Sequence, residues 1–144
     1  MPTYACSTAA QLTADQRVRI VKSLTEIHAV EANAPRYFVQ VVFYGIAPDS
    51  HFIGGERAPA GQIWIRADIR AGRTQQQKTR MLNRILDEVS EIMHVSKEEV
   101  WVYISDIPAE SVAEYGRPLP PPGQENDWLA TLPEVLKEKL AANI

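Results

Sequence analysis

Two stretches of this chain repeat one another at a fixed distance. Thr13-x-x-Gln16 and Thr74-x-x-Gln77 carry the same capping-box signature 61 residues apart. In such a box the threonine hydroxyl and the glutamine amide each satisfy the other's backbone N–H at a helix start. Val21 with Leu82, Leu24 with Ile85, and Val39 with Val100 keep that step, and Phe43 with Tyr103 falls within one residue of it. Matching caps, core positions and strands at one offset mean that the chain is built from two copies of one unit.

The first cap predicts a helix over residues 14–31, with Val18, Val21, Leu24, Ile27 and His28 on one face. The second predicts a helix over residues 75–94, with Leu82, Ile85, Leu86, Val89, Ile92 and Met93 as its core stripe. Segments rich in β-branched and aromatic residues flank both: 3–7 and 38–44 around the first helix, 63–69 and 100–104 around the second. A β-α-β crossover makes its two strands parallel. The expected fold is therefore α/β (α+β), with tandem β-α-β repeats over residues 2–46 and 63–107. They would form a four-stranded sheet with both helices on one face. The other face, with an apolar alternation assigned to Val39, Val41 and Phe43, would need cover, which favours an oligomer.

Residues 108–144 complete this single 1–144 domain as a C-terminal arm, packed on the body or on a neighbouring subunit. Pro108, Pro118, Pro120, Pro121 and Pro122 exclude regular helix along their stretch, and Tyr115-Gly116 reads as a turn. A short final helix is predicted over residues 132–140, with Pro133 near its first turn. Residues 47–61, with Gly54-Gly55 and Pro59, read as a loop able to serve as a lid.

Charge narrows the partners. Fifteen Lys and Arg against 18 Asp and Glu give −3, without the basic stripe of a nucleic-acid or membrane-surface binder. The longest apolar run, residues 38–46, is interrupted by Gln40 and too short to span a bilayer. Met1-Pro2-Thr3-Tyr4 carries no signal-peptide pattern. The single cysteine, Cys6, forms neither an internal disulfide nor a zinc cluster. A soluble cytoplasmic protein is expected, with neither nucleic acid nor membrane as partner.

Several residues have chemistry open to them. Removal of Met1 would leave Pro2 as a secondary amine at the start of a strand, able to act as base, acid or nucleophile. Arg70 and Arg73 lie between a strand end and a helix cap, where two guanidinium forks suit a carboxylate or phosphate. Each also has a plainer reading: Met-Pro starts are common, and an arginine pair suits a solvated turn. His28 fits a satisfied interior histidine, Tyr103 a packing residue and Glu114 a surface charge. His51 and His94 have no metal-ligand spacing, and no serine sits in a nucleophile elbow.

The combination is more specific than its parts. The Met1-Pro2-Thr3-Tyr4 opening, the duplication and Arg70-x-x-Arg73 resemble the tautomerase superfamily. His28, Arg70-x-Gly72-Arg73, Trp101-Val102-Tyr103, and Glu114-Tyr115-Gly116-Arg117 followed by Pro120 and Pro122-Gly123 resemble the cis-3-chloroacrylic acid dehalogenase family, from Pro2 to about Trp128. That resemblance implies a homotrimer whose sheets face a central barrel, with no metal and no organic cofactor. It implies Pro2 as general acid, Arg70 and Arg73 holding a substrate carboxylate with help from His28, and Tyr103 and Glu114 positioning and activating water. The implied partner is a small unsaturated or keto carboxylic acid. The implied reaction is hydration or dehalogenation of a short 2,3-unsaturated acid, cis-3-haloacrylate or an acetylenic acid, to malonate semialdehyde. Alternatives are a promiscuous keto-enol tautomerase of phenylpyruvate type, a malonate semialdehyde decarboxylase and, outside enzymes, a trimeric interaction protein. Ala71 and Asn33-Ala34-Pro35-Arg36 depart from the dehalogenase toward its less specialised homologues, so the pocket walls differ even where the catalytic set is complete.

Overall fold

Both capping boxes form. In the computed structural model, which describes residues 2–142, Gln16 N–H donates to Thr13 Oγ1 at 3.0 Å and Thr13 N–H to Gln16 Oε1 at 3.0 Å. Thr74 and Gln77 repeat the exchange at 2.9 and 3.2 Å. The boxes open α1 (Ala14–Glu31) and α2 (Gln75–Met93). Each glutamine also reaches the far end of the other helix: Gln16 Nε2 donates to Ile92 O at 3.2 Å and Gln77 Nε2 to Glu31 O at 3.0 Å. The helices are thus antiparallel, and each satisfies a C-terminal carbonyl that the other leaves unpaired.

The strands in chain order are β1 (Thr3–Thr8), β2 (Gln40–Gly45), a hairpin of β3 (Phe52–Ile53) and β4 (Glu56–Arg57), β5 (Ile63–Arg70), β6 (Val100–Ile107), and a second hairpin of β7 (Ala113–Glu114) and β8 (Arg117–Pro118). Four of them form a sheet in the order β2-β1-β5-β6. Each crossover joins a parallel pair, as its geometry requires, and β1 meets β5 antiparallel at the centre. Thr3 pairs with Gln40, and Trp64 pairs with Trp101, so the 61-residue step runs through the sheet. The counterpart of Phe43 is Ile104 and not Tyr103, because Cys6 pairs with Phe43 and Ala67 with Ile104. A slip of one residue changes the face, and Tyr103 points away from the helices.

The core lies between sheet and helices: Tyr4, Cys6, Ile65, Ala67 and Ile69 meet Ile20, Leu24, Ile27, Met81, Ile85 and Val89. Two expectations are corrected here. The buried stripe of α1 is Ile20, Leu24, Ile27 and His28, while Val18 is 52% exposed and Val21 also turns outward. Ile20 shares with Leu24, Ile27 and His28 the i, i+4, i+7, i+8 spacing that faces one surface, and Val18 does not. Val39, Val41 and Phe43 pack against this same core and therefore do not line the open face. The open face carries Ala5, Val42, Tyr44, Trp64, Trp101 and Tyr103 by strand alternation. Its aromatic residues still leave an apolar surface to cover.

The arm folds onto its own body. After the β7–β8 hairpin come α3 (Glu125–Ala130) and α4 (Glu134–Ala141). Tyr37, Phe38, Leu119, Trp128, Leu132 and Leu140 form a second buried cluster, and Trp128 Nε1 donates to Pro118 O at 2.9 Å. The turn at Tyr115-Gly116 has φ of 53° and 79°, the left-handed pair that a two-residue hairpin needs. α3 and the hairpin were not foreseen from sequence; six residues of helix are too few for a periodic signal. The last helix begins just after Pro133, and the arm's final two residues, like Met1, lie outside those described. The β3–β4 hairpin follows Gly45 and precedes Ile63, both partners of Thr8. It stands at the opposite end of the sheet from Pro2, so the expected lid does not cover that end of its own chain. No described helix is long and apolar enough to cross a membrane.

Candidate active site

The antiparallel centre of the sheet sets the site. Thr3 opposes Asp68 on one side and Gln40 on the other, so the start of β1, the end of β5 and the start of β2 share one edge. Pro2 is buried there, its carbonyl accepting from Gln40 N–H at 2.9 Å. Arg70 ends β5, Arg73 follows three residues later beside the α2 cap, and the last turn of α1 brings in His28.

His28 is 1% exposed and lies edge-on to Tyr4, whose hydroxyl is 2.9 Å from Nδ1. Burial, reinforced by the Arg73 charge, lowers the imidazole pKa to about 3, so the ring is neutral. Burial raises the Tyr4 phenol well above its ordinary value, so it keeps its proton. Two neutral groups thus share one hydrogen bond, in which Tyr4 holds the orientation of the imidazole ring. Tyr4 had not been singled out, although its alternation with Cys6 puts it on the helix-facing side.

The arginines are buried, Arg70 at 1% and Arg73 at 8% exposure. Arg70 Nη1 donates to Pro120 O at 2.5 Å, and Nη2 donates to Glu125 Oε1. Arg73 Nη1 reaches Arg70 O at 3.5 Å. Nε of each guanidinium is buried with no partner, an orphaned donor of a kind native proteins rarely leave unmet. Burial and then the Arg70 charge lower the Arg73 pKa, with Glu125 and Asp106 opposing. An arginine keeps its charge regardless, so with Glu125 opposing one of the two charges the pair holds one net positive charge and two unmet N–H donors. Glu125 comes from the arm, 55 residues from Arg70, and no local pattern could have shown it. Gly72 lets the arm approach: its φ is +111°, and a Cβ there would sit 2.9 Å from Pro122 Cγ.

Glu114 lines a cavity of about 300 Å³ with Tyr37, Phe38, Val39, Tyr115 and Gln40, the residue bonded to Pro2. A groove of about 530 Å³ shares Tyr37, Val39 and Tyr115 with it and is also lined by Arg36 and Lys139. The Tyr37 hydroxyl is buried and unpartnered. Tyr103 stands apart on the open face, 53% exposed and edge-on to Trp64 with ring centroids 5.6 Å apart. The single chain thus brings five of the six singled-out residues to one end, and leaves Tyr103 on the far edge strand β6. Among the described residues, no group of three or more His, Cys, Asp or Glu could hold a metal ion.

Residues 1–131 match the family described as "Putative oxalocrotonate tautomerase enzyme". The chain is 44% identical to the structure of N1, a member of the cis-3-chloroacrylic acid dehalogenase family, with a TM-score of 0.94, over 97% of this chain and 99% of that one. It is 34% identical to native Ps01740, with a TM-score of 0.73, over 78% of this chain and 99% of that one. A fused 4-OT symmetric trimer shares the fold at 20% identity and a TM-score of 0.75, over 81% of this chain and 94% of that one. No curated protein matches the sequence significantly.

Proposed function

Because the chain belongs to the tautomerase superfamily, in its cis-3-chloroacrylic acid dehalogenase family, we propose that it is a cofactor-independent hydratase or dehalogenase of short 2,3-unsaturated carboxylates. The observation that carries this reading is the pair of orphaned Nε donors on Arg70 and Arg73, at the sheet end that holds Pro2. A substrate carboxylate would take those donors, with His28 as a third in the tautomer that carries its proton on Nε2. Arginines so placed withdraw electron density from the double bond and make C-3 electrophilic.

The remaining steps follow from position. Glu114, in the cavity beside Gln40 and Pro2, takes a proton from water as its oxygen bonds to C-3. Pro2, freed by loss of Met1 and protonated, delivers a proton to C-2. If C-3 carries halide, the resulting halohydrin loses halide and a proton to give malonate semialdehyde. An acetylenic acid reaches the same product through its enol. Tyr103 enters by assembly: it lies on the open face that a homotrimer would cover, and so would serve the site of a neighbouring copy.

A tautomerase reading has its own support, since one chain unites Pro2, His28 and the arginines without Tyr103. Enol-keto proton transfer needs an amine and a carboxylate clamp but no activated water.

Two measurements test the proposal. Arg73→Ala should lower kcat/KM for a 3-haloacrylate or an acetylenic acid by roughly 10- to 100-fold, the loss of a charged hydrogen-bond donor; an unchanged value would reject the carboxylate clamp. Light scattering should give about three times the 16.1 kDa chain mass, because the aromatic open face needs cover. A clean monomer at micromolar concentration would reject the trimer and, with it, the role given to Tyr103.

A further inference from the structure

The Arg70–Glu125 contact limits what the anion site can take. We infer that Glu125 is a specificity-determining residue that restricts this site to a single carboxylate and rejects dicarboxylic acids. The inference rests on the carboxylate-clamp reading above and names its substrate class more narrowly.

Three observations support it. First, both Nη groups of Arg70 are already committed within the chain, one to Pro120 O and one to Glu125 Oε1. What remains is Nε on each arginine, the second N–H of each Arg70 Nη and the weakly engaged Nη groups of Arg73, so donors are not limiting. But a carboxylate already stands on the Arg70 fork where a second ligand carboxylate would have to pair. Second, the local charges sum to little. Arg70 and Arg73 supply two positive charges and Glu125 removes one, while His28 is neutral. Asp106, which also acts on Arg73, is itself paired with Lys78. In the proposed mechanism the Glu114 carboxylate balances the Pro2 ammonium. One net positive charge is left for the ligand. Third, Glu125 is a carboxylate: burial alone would raise its pKa, but the hydrogen bond from Arg70 and those from the Gly123 and Glu125 backbone lower it. A second ligand carboxylate in this cluster would meet an existing negative charge at low dielectric.

Gly72 and Pro122 make this arrangement stiff. The arm passes so close to the β5–α2 turn that no Cβ fits there, and Pro120 fixes the other Arg70 Nη. Glu125 is therefore presented to Arg70 by a segment packed against the β5–α2 turn.

Glu125→Gln isolates the charge, since the amide oxygen can still accept from Arg70. Binding of propanoate and butanedioate, two acids that do not react, should be followed by NMR titration in wild type and variant. Wild type should bind propanoate and hold butanedioate more weakly; the variant should shift the ratio of the two dissociation constants toward butanedioate by about tenfold. Loss of packing alone would weaken both acids together and leave the ratio unchanged, which would overturn the inference. Glu125→Ala, read the same way with its melting temperature, guards against an amide that happens to repack, and the ratio should shift in the same direction. Preference of the wild type for butanedioate would also overturn it. Binding of neither acid would instead reject the carboxylate clamp on which it rests.

Discussion

Replacing Pro2 with alanine should leave a folded protein that has lost hydration of unsaturated acids by roughly 10² to 10⁴, the usual contribution of a positioned acid or base. Among the described residues the Pro2 carbonyl accepts from Gln40 N–H, and alanine keeps that carbonyl. The core residues that begin at Tyr4 are untouched, so circular dichroism and melting temperature should barely change. The ring nitrogen and its fixed direction are what the variant loses. The amine exists only if Met1 is removed, so the intact mass of the purified wild type should be that of the chain without it. Equal hydration rates in wild type and Pro2→Ala would sink the proline mechanism.

Glu114→Gln should separate two reactions that share one site. The amide accepts no proton from water, so hydration of a 3-haloacrylate or an acetylenic acid should fall by roughly 10² to 10⁴. Ketonisation of an enol pyruvate needs Pro2 and the arginine clamp and should survive far better. Arg73→Ala, by contrast, should damage both, because both substrates offer a carboxylate to the same guanidinium. Both activities should be measured in both variants. Equal losses on Glu114→Gln would assign Glu114 to support of the Pro2 ammonium or of the β7–β8 hairpin, and water activation would have to be abandoned.

Local and periodic features of the fold were legible; long-range closure was not. Capping boxes announce themselves within four residues, so both helix starts were read directly from Thr13 and Thr74. The repeat step carried the strand pairing as well, because each β-α-β unit is a local construction. Facing was harder. Ile20 and Val18 compete for the inward side of α1, and only packing on the sheet decides between them. Tyr103 was placed one residue out of step, which in a strand is a change of side.

The site was legible where its residues lie in short motifs, as with Arg70 and Arg73, or where a resemblance marked them, as with His28 and Glu114. The partners that tune those residues were not. Tyr4, which hydrogen-bonds His28, is separated from it by 24 positions, and Glu125, which occupies Arg70, by 55 positions from that arginine. Such couplings appear only when the chain closes on itself.

The antiparallel meeting of β1 and β5 also bears on how many proposed sites each chain can offer. Two related units joined head to tail in this way present two related edges, but the edges are not equally equipped. The position that matches Pro2 in the second unit is Ile63, whose nitrogen is locked in a peptide bond. The positions that match Arg70 and Arg73 in the first unit are Ala9 and Leu12. One edge therefore gathers Pro2 from the first unit and the arginine pair from the second, and the other edge receives neither. On the proposed mechanism each chain therefore offers one such set, which Tyr103 of a neighbouring copy completes, while Ile63, Ala9 and Leu12 at the other edge carry no group that the chemistry uses.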